Sequence, residues 1–116
     1  MKQLQSPEQS RIDKILQKYP ELKIRDVEIV HDVSMDTHPY YRGVKASTLI
    51  TIDGTFIKIS SSGLGQTEEE LTLTILHEHY HLLHPNDLGF GFEERAEEYA
   101  CKRWASIRRR ANGKNK

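Results

Sequence analysis

The chain has 116 residues, a length that suits one domain, and its 17 basic and 17 acidic side chains give a formal net charge of zero. This balance argues against nucleic acid or an anionic membrane as the main partner. The single cysteine, Cys101, excludes an internal disulfide, and no apolar run is long enough for a signal core or a membrane span, so we predict a cytoplasmic protein.

The N-terminal third predicts a helix followed by a strand. Ser6 and Pro7 suit the cap and the first position of a helix, and Pro20 ends the apolar stripe that follows them. Residues 23–33 alternate enough between apolar and polar side chains to predict a strand. We expect residues 34–43 to form a loop.

A β-hairpin is the clearest pattern in the middle of the chain. Residues 47–52 and 55–60 are rich in β-branched side chains, which favour strands. They flank Asp53-Gly54, a dipeptide typical of two-residue hairpin turns. Residues 61–65, which are mostly serine and glycine, predict a flexible connector.

Two helices are predicted in the remainder of the chain. Thr67 and Glu70 can form the two halves of a capping box, and the helix that they start should run to about His84. The next helix should run from Phe92 to about Arg110. The order helix, strand, hairpin, helix, helix predicts an α+β fold, with a small antiparallel or mixed sheet against the helices.

The most informative motif lies on the first of these two helices. His77, Glu78 and His81 form an H-E-x-x-H pattern. Residues four apart share one face of a helix, so the two imidazoles can bind one metal ion. Glu78 follows the first imidazole, where its carboxylate can take a proton from a water molecule.

A hydrolytic zinc site usually has a third protein ligand, and the next helix offers acidic candidates. They are Glu93, Glu94, Glu97 and Glu98. A carboxylate at Glu93 can complete the site, and Glu97, one turn further on, can accept a hydrogen bond from the far nitrogen of a ligating histidine. The third ligand remains open between Glu93, Glu94 and Glu97. A donor set of two imidazoles and one carboxylate suits a single zinc ion best.

Together, H-E-x-x-H and the following E-x-x-A-E resemble the gluzincin clan of zinc metallopeptidases, especially the minimal gluzincins (minigluzincins). The pattern is also similar to the mobile-element peptidases of the ImmA/IrrE group. The resemblance covers about residues 71–100 and implies a zincin-like fold. It implies that zinc is bound by His77, His81 and Glu93, and that Glu78 is the general base.

The resemblance also implies a place for the substrate. In these families the strand before the active-site helix forms an edge along which a peptide lies extended. That edge would be the second strand of the hairpin, Thr55, Phe56, Ile57, Lys58, Ile59 and Ser60. Glu97 would orient a zinc-bound histidine, although relatives usually have Asp or Asn at its position. Tyr80 is a second departure, because many relatives have a small residue there.

The resulting prediction is a zinc-dependent metallopeptidase acting on a peptide or protein substrate, with one domain over residues 1–116. Residues 111–116 are predicted to be a flexible basic tail, and one hypothesis is that the segment 105–116 keeps the enzyme latent by covering the acidic cleft. The alternatives are a non-catalytic module stabilised by zinc, and an ImmA/IrrE-like regulator that cleaves a repressor. The natural substrate and the oligomeric state stay open.

Three other side chains carry expectations of their own. His79 is expected at the surface, pointing away from the metal. His84 is expected to pack near the motif rather than to bind the metal. Cys101 is expected to lie near the core.

Overall fold

The computed structural model describes residues 7–37, 39 and 44–114, and shows an α+β fold with a small mixed sheet. Its elements, in chain order, are α1 (Pro7–Lys18), a 3₁₀ turn (Pro20–Leu22), β1 (Val27–His31), α2 (Ser34–Thr37), β2 (Ala46–Thr51), β3 (Gly54–Ile59), α3 (Ser61–Leu64), α4 (Glu68–Leu83) and α5 (Phe92–Lys114). The predicted order of the longer helices and the strands is confirmed. The predicted cap Ser6 lies outside the described residues, as do His38 and residues 40–43.

The described strands form one sheet in the order β1-β3-β2. β3 pairs in parallel with β1, where Ile57 faces Ile29, and antiparallel with β2, where Ile57 faces Thr48. The prediction that residues 55–60 form the edge is therefore wrong, because β3 hydrogen-bonds to a neighbour on each side. The edge on the cleft side is β2.

The hairpin turn lies one residue earlier than predicted. Thr51 pairs with Gly54, so Ile52 and Asp53 are the two turn residues. The hydroxyl of Thr51 accepts hydrogen bonds of 3.1 Å from the backbone N–H groups of both Asp53 and Gly54. Gly54 has a φ of 153°, a conformation that disfavours any residue with a Cβ.

The predicted flexible connector is instead the single-turn helix α3. Its N-cap is Ser60, whose hydroxyl accepts a 3.1 Å hydrogen bond from the backbone of Gly63. A Cβ at Gly63 would lie 2.3 Å from the carbonyl oxygen of Lys45, so only glycine fits there. A capped turn and close backbone packing therefore hold the chain where β3 leads into α4.

Two contacts near the N-terminal end of α4 set the direction of α5. Trp104 of α5 packs edge-on against Tyr19, with ring centroids 5.1 Å apart, and its indole N–H donates a 2.9 Å hydrogen bond to Glu69. Ile107 of the same helix is completely buried. The apolar core between the helices and the sheet also includes Ile12, Ile57, Ile59, Leu71, Ile75 and Leu76. With its C-terminal half anchored in this way, α5 lies along α4 and brings its first turns beside the H-E-x-x-H motif.

The basic end of α5 leads away from that motif. The helix continues to Lys114, past the predicted end at Arg110. Arg110 lies 3.7 Å from a carboxylate oxygen of Glu21. It follows Glu93 by 17 residues, which is about 25 Å along a helix axis. Residues 105–114 therefore do not cover the cleft, contrary to the expected inhibitory tail.

Candidate metal centre

The H-E-x-x-H motif lies in the C-terminal half of α4, a helix with a complete capping box. Thr67 accepts a hydrogen bond from the backbone of Glu70, and the Glu70 side chain accepts one from the backbone of Thr67. This start fixes the helix well before the motif. The rings of His77 and His81 lie on one face, with centroids 4.9 Å apart.

These side chains can hold a metal ion. Ligand atoms of His77, Glu78 and His81 all lie within 4.8 Å of one another. The imidazoles are mostly covered, with 13% of the His77 side chain and 23% of the His81 side chain accessible. Partial burial strengthens the attraction between a cation and its ligands, since less water competes for it.

A carboxylate from α5 faces both imidazoles. Oε1 of Glu93 lies 3.4 Å from Nε2 of His77 and 3.0 Å from Nε2 of His81. Glu94, the alternative candidate, is exposed on the neighbouring face of α5. The structure thus brings one oxygen of Glu93 opposite the two nitrogens that an H-E-x-x-H motif offers to a metal.

The second acidic side chain of α5 orients the first imidazole. Oε1 of Glu97 lies 2.7 Å from Nδ1 of His77. An ionised carboxylate can only accept a hydrogen bond, so Nδ1 of His77 is the donor to Glu97, and Nε2 is the nitrogen that faces Glu93. Although Glu97 is longer than the Asp or Asn expected from the resemblance, its carboxylate reaches His77.

Two of these distances are compatible with a metal ion held between the three side chains. Metal bonds of about 2.0–2.2 Å at tetrahedral angles separate two ligand atoms by about 3.3–3.6 Å. The distance of 3.4 Å between His77 and Glu93 falls in this range, and the 3.0 Å between His81 and Glu93 is slightly shorter.

Glu78 has a partner that the sequence did not reveal. It is buried, with 8% accessibility, and its Oε1 accepts a 2.7 Å hydrogen bond from the hydroxyl of Thr48 on β2. One threonine among several β-branched residues in a hairpin carries no distinguishing signal. Only the packing of β2 against α4 shows that Thr48 reaches the motif.

A cleft of about 780 Å³ opens beside these side chains. One wall is the edge strand β2, the floor is formed by Glu78 and His81, and the other wall is the connection between α4 and α5 with Glu93. The cleft therefore places the outer edge of β2, which pairs with no further strand among the described residues, next to the candidate metal ligands.

The wall opposite β2 is held by a hydrogen-bonded network around Asp87. The Tyr80 hydroxyl donates to Asp87, Arg95 Nε donates to Asp87 over 2.8 Å, and Arg95 Nη1 donates to the carbonyl of Phe90 over 2.9 Å. Arg95 holds the pKa of Asp87 well below its usual range, and Asp87 raises the pKa of Arg95 and of Tyr80. This network ties the connection to both helices, so the bulky Tyr80 is a structural anchor.

The three remaining side chains with a predicted location are His79, His84 and Cys101, and they differ in their exposure to solvent. His79 is buried, contrary to the prediction, and loss of hydration lowers its pKa to about 4. His84 is exposed at the cleft, and its ring lies 4.5 Å from that of Tyr80. Cys101 is exposed rather than near the core.

No family model matches the chain, and comparisons with curated proteins and with solved structures give no match. Among the described residues, no helix has both the length and the apolar character needed to cross a membrane. The function is consequently inferred from the geometry of the site itself.

Proposed function

We propose that this chain is a zinc-dependent peptidase of zincin-like architecture, which hydrolyses peptide bonds in a peptide or protein substrate. The observation that carries the proposal is the position of Glu93. One of its carboxylate oxygens, Oε1, faces Nε2 of both His77 and His81. Three carboxylates lie near the imidazoles. A ligand atom of Glu78 also lies within 4.8 Å of ligand atoms of both histidines, but Thr48 holds one of its oxygens, and we assign it as the general base. Glu97 contacts Nδ1 of His77, so we assign Glu93 as the third ligand.

These positions suggest a different role for each side chain. Zinc bound by His77, His81 and Glu93 would lower the pKa of a coordinated water and polarise a peptide carbonyl. In this proposal the oxygen of Glu78 that is not hydrogen-bonded to Thr48 would accept a proton from water and pass it to the departing amine. One water is consumed, the C–N bond breaks, and a carboxylate and an amine are formed.

The edge strand β2 supports a peptide as the substrate. Its inner side pairs with β3, and its outer side borders the cleft beside Glu78. A peptide that lies along β2 can form main-chain hydrogen bonds with it, as in other cases of strand addition. The substrate-binding role expected for β3 therefore passes to β2.

Metal content and two glutamine variants test the proposal. The purified protein should contain one equivalent of zinc, and Glu93→Gln should weaken zinc binding by about 100-fold or more, because a ligand is worth at least as much as an outer partner. Glu78→Gln should retain zinc and lose hydrolysis of a fluorogenic peptide library. Glu94→Gln, one residue from Glu93 on the same helix, is the matched control and should change neither property.

Two results would contradict the proposal. Zinc binding that is equally strong in Glu93→Gln and Glu94→Gln would remove the ligand assignment. A zinc-containing wild-type protein that cleaves no peptide would instead favour the zinc-stabilised binding module.

A further inference from the structure

Most of the large apolar side chains on the described surface come from two short segments of the chain. Among the described residues, seven large hydrophobic side chains are exposed, and six of them fall in segments 49–52 and 83–90. Two of these six, Ile50 and Leu88, line the cleft, and we call this pair the apolar rim. Single exposed apolar side chains are ordinary, whereas a cluster of them indicates a binding surface.

The apolar rim flanks the cleft. Ile50 of β2 and Leu88 of the α4–α5 connection line it from different walls, together with Glu78 and His81. Ile50 is 64% accessible and Leu88 is 76% accessible, so both are available to a ligand. A chain that enters the cleft therefore meets an apolar side chain on each of its two walls.

The edge strand is suited to an extended ligand. β2 contains no charged residue and no proline, the features that commonly protect an exposed edge from pairing. Thr48 and Ile50 lie on the same face of β2, about 7 Å apart, because side chains alternate along a strand. Since Thr48 contacts Glu78, Ile50 lies next to the reacting position.

Charge adds little to the selection of a ligand. Glu93 and Glu97 face the imidazoles, where a bound zinc ion would balance their negative charge. Glu98 is paired with Lys102 over 2.9 Å, and Arg95 is paired with Asp87. The choice of ligand therefore depends on the apolar side chains that line the cleft.

We propose that the cleft selects extended peptide segments with bulky apolar side chains close to the scissile bond. The reaction in this inference rests on the proposed peptidase function, and the binding surface does not. Such segments are normally buried in folded proteins, so the ligand class is an unfolded or disordered stretch of polypeptide.

Short quenched fluorogenic peptides with the same glycine- and serine-rich ends test this selectivity. The apolar peptide has phenylalanine and leucine at its centre, the polar peptide has serine there, and the acidic peptide has glutamate there. We expect kcat/KM for the apolar peptide to exceed that for the acidic peptide by about 10-fold to 100-fold, the usual gain from burying large apolar side chains. The variants Ile50→Thr and Leu88→Ser should each reduce this preference by about 3-fold to 10-fold.

Val33→Thr is the matched control, because Val33 is 66% accessible and lies outside the apolar rim. It should leave the preference unchanged. A second measurement needs no turnover: the Glu78→Gln protein is titrated against the labelled apolar peptide and followed by fluorescence anisotropy. The same two rim substitutions, added to that background, should weaken binding by a similar factor.

The possible outcomes distinguish failure of the proposed binding surface from failure of the proposed reaction. Equal cleavage of apolar and acidic peptides, or rim substitutions that change neither cleavage nor binding, would overturn the inference. Rim substitutions that abolish binding to phosphatidylcholine vesicles but leave peptide binding intact would also overturn it, since the rim would then be a membrane surface. If no peptide is cleaved but rim-dependent binding persists, the inference holds and the proposed reaction fails.

Discussion

Replacing Thr48 with valine removes one hydroxyl from the cleft and leaves its shape almost unchanged. In the native chain this hydroxyl donates to Oε1 of the buried Glu78 over 2.7 Å. A hydrogen bond to a charged group contributes about 1.5–3 kcal/mol, and each 1.36 kcal/mol in an activation barrier is about tenfold in rate. If the bond holds the carboxylate in place for proton transfer, Thr48→Val should lower kcat by about 10-fold to 100-fold.

The assay is steady-state cleavage of an apolar fluorogenic peptide by the zinc-loaded proteins. KM should change little, because the Thr48 hydroxyl is directed at Glu78 rather than at the substrate. Thr48→Ser retains the hydroxyl and should recover most of kcat, while the zinc content of all three proteins should be equal. A Thr48→Val protein as fast as the wild type, or a serine variant as slow as the valine one, would refute this role.

Further predictions concern stability and metal affinity. Burial holds the pKa of His79 at about 4 rather than 6.5, so the folded chain binds this proton less readily than the unfolded chain does. Stability that is present above pH 6.5 should be lost as the pH falls towards 4, by about 3 kcal/mol, and His79→Leu should flatten this loss in urea unfolding of the metal-free protein. An identical pH dependence in wild type and variant would disprove it. Glu97→Ala should weaken zinc binding by about 10-fold to 100-fold, since His77 loses the acceptor that orients it, and unchanged affinity in competition with a chelator would count against this. Tyr80→Phe removes the hydroxyl that donates to Asp87 and should lower the melting temperature by a few degrees, whereas an unchanged transition would show that the network adds no stability.

Local rules are sufficient for the features of this chain that depend on neighbouring residues. The capping box at Thr67 and Glu70 joins groups three residues apart, and the structure shows both of its hydrogen bonds. The pairing of His77 with His81 needs only that the segment be helical, because positions four apart always share a face. These features were predictable since no distant part of the chain is needed to form them.

The choice among acidic side chains was not local. The spacing placed Glu93 and Glu97 on one face of a helix, but the sequence left Glu94 open as a ligand. Ala96 and Ala100 have no accessible surface, and their burial sets the rotation of α5. That rotation directs Glu93 and Glu97 towards His77, and it results from contacts between residues far apart in sequence.

The edge of the sheet and the environment of His79 were decided by the tertiary structure alone. Either strand of a hairpin can pair with a third strand, because both offer the same backbone donors and acceptors. Here β3 takes the centre, where Ile57 and Ile59 are fully buried, and β2 takes the edge. Thr48 thereby reaches the cleft. His79 is buried because other elements pack against more than one face of α4. The apolar pattern of a helix does not predict how many of its faces will be covered.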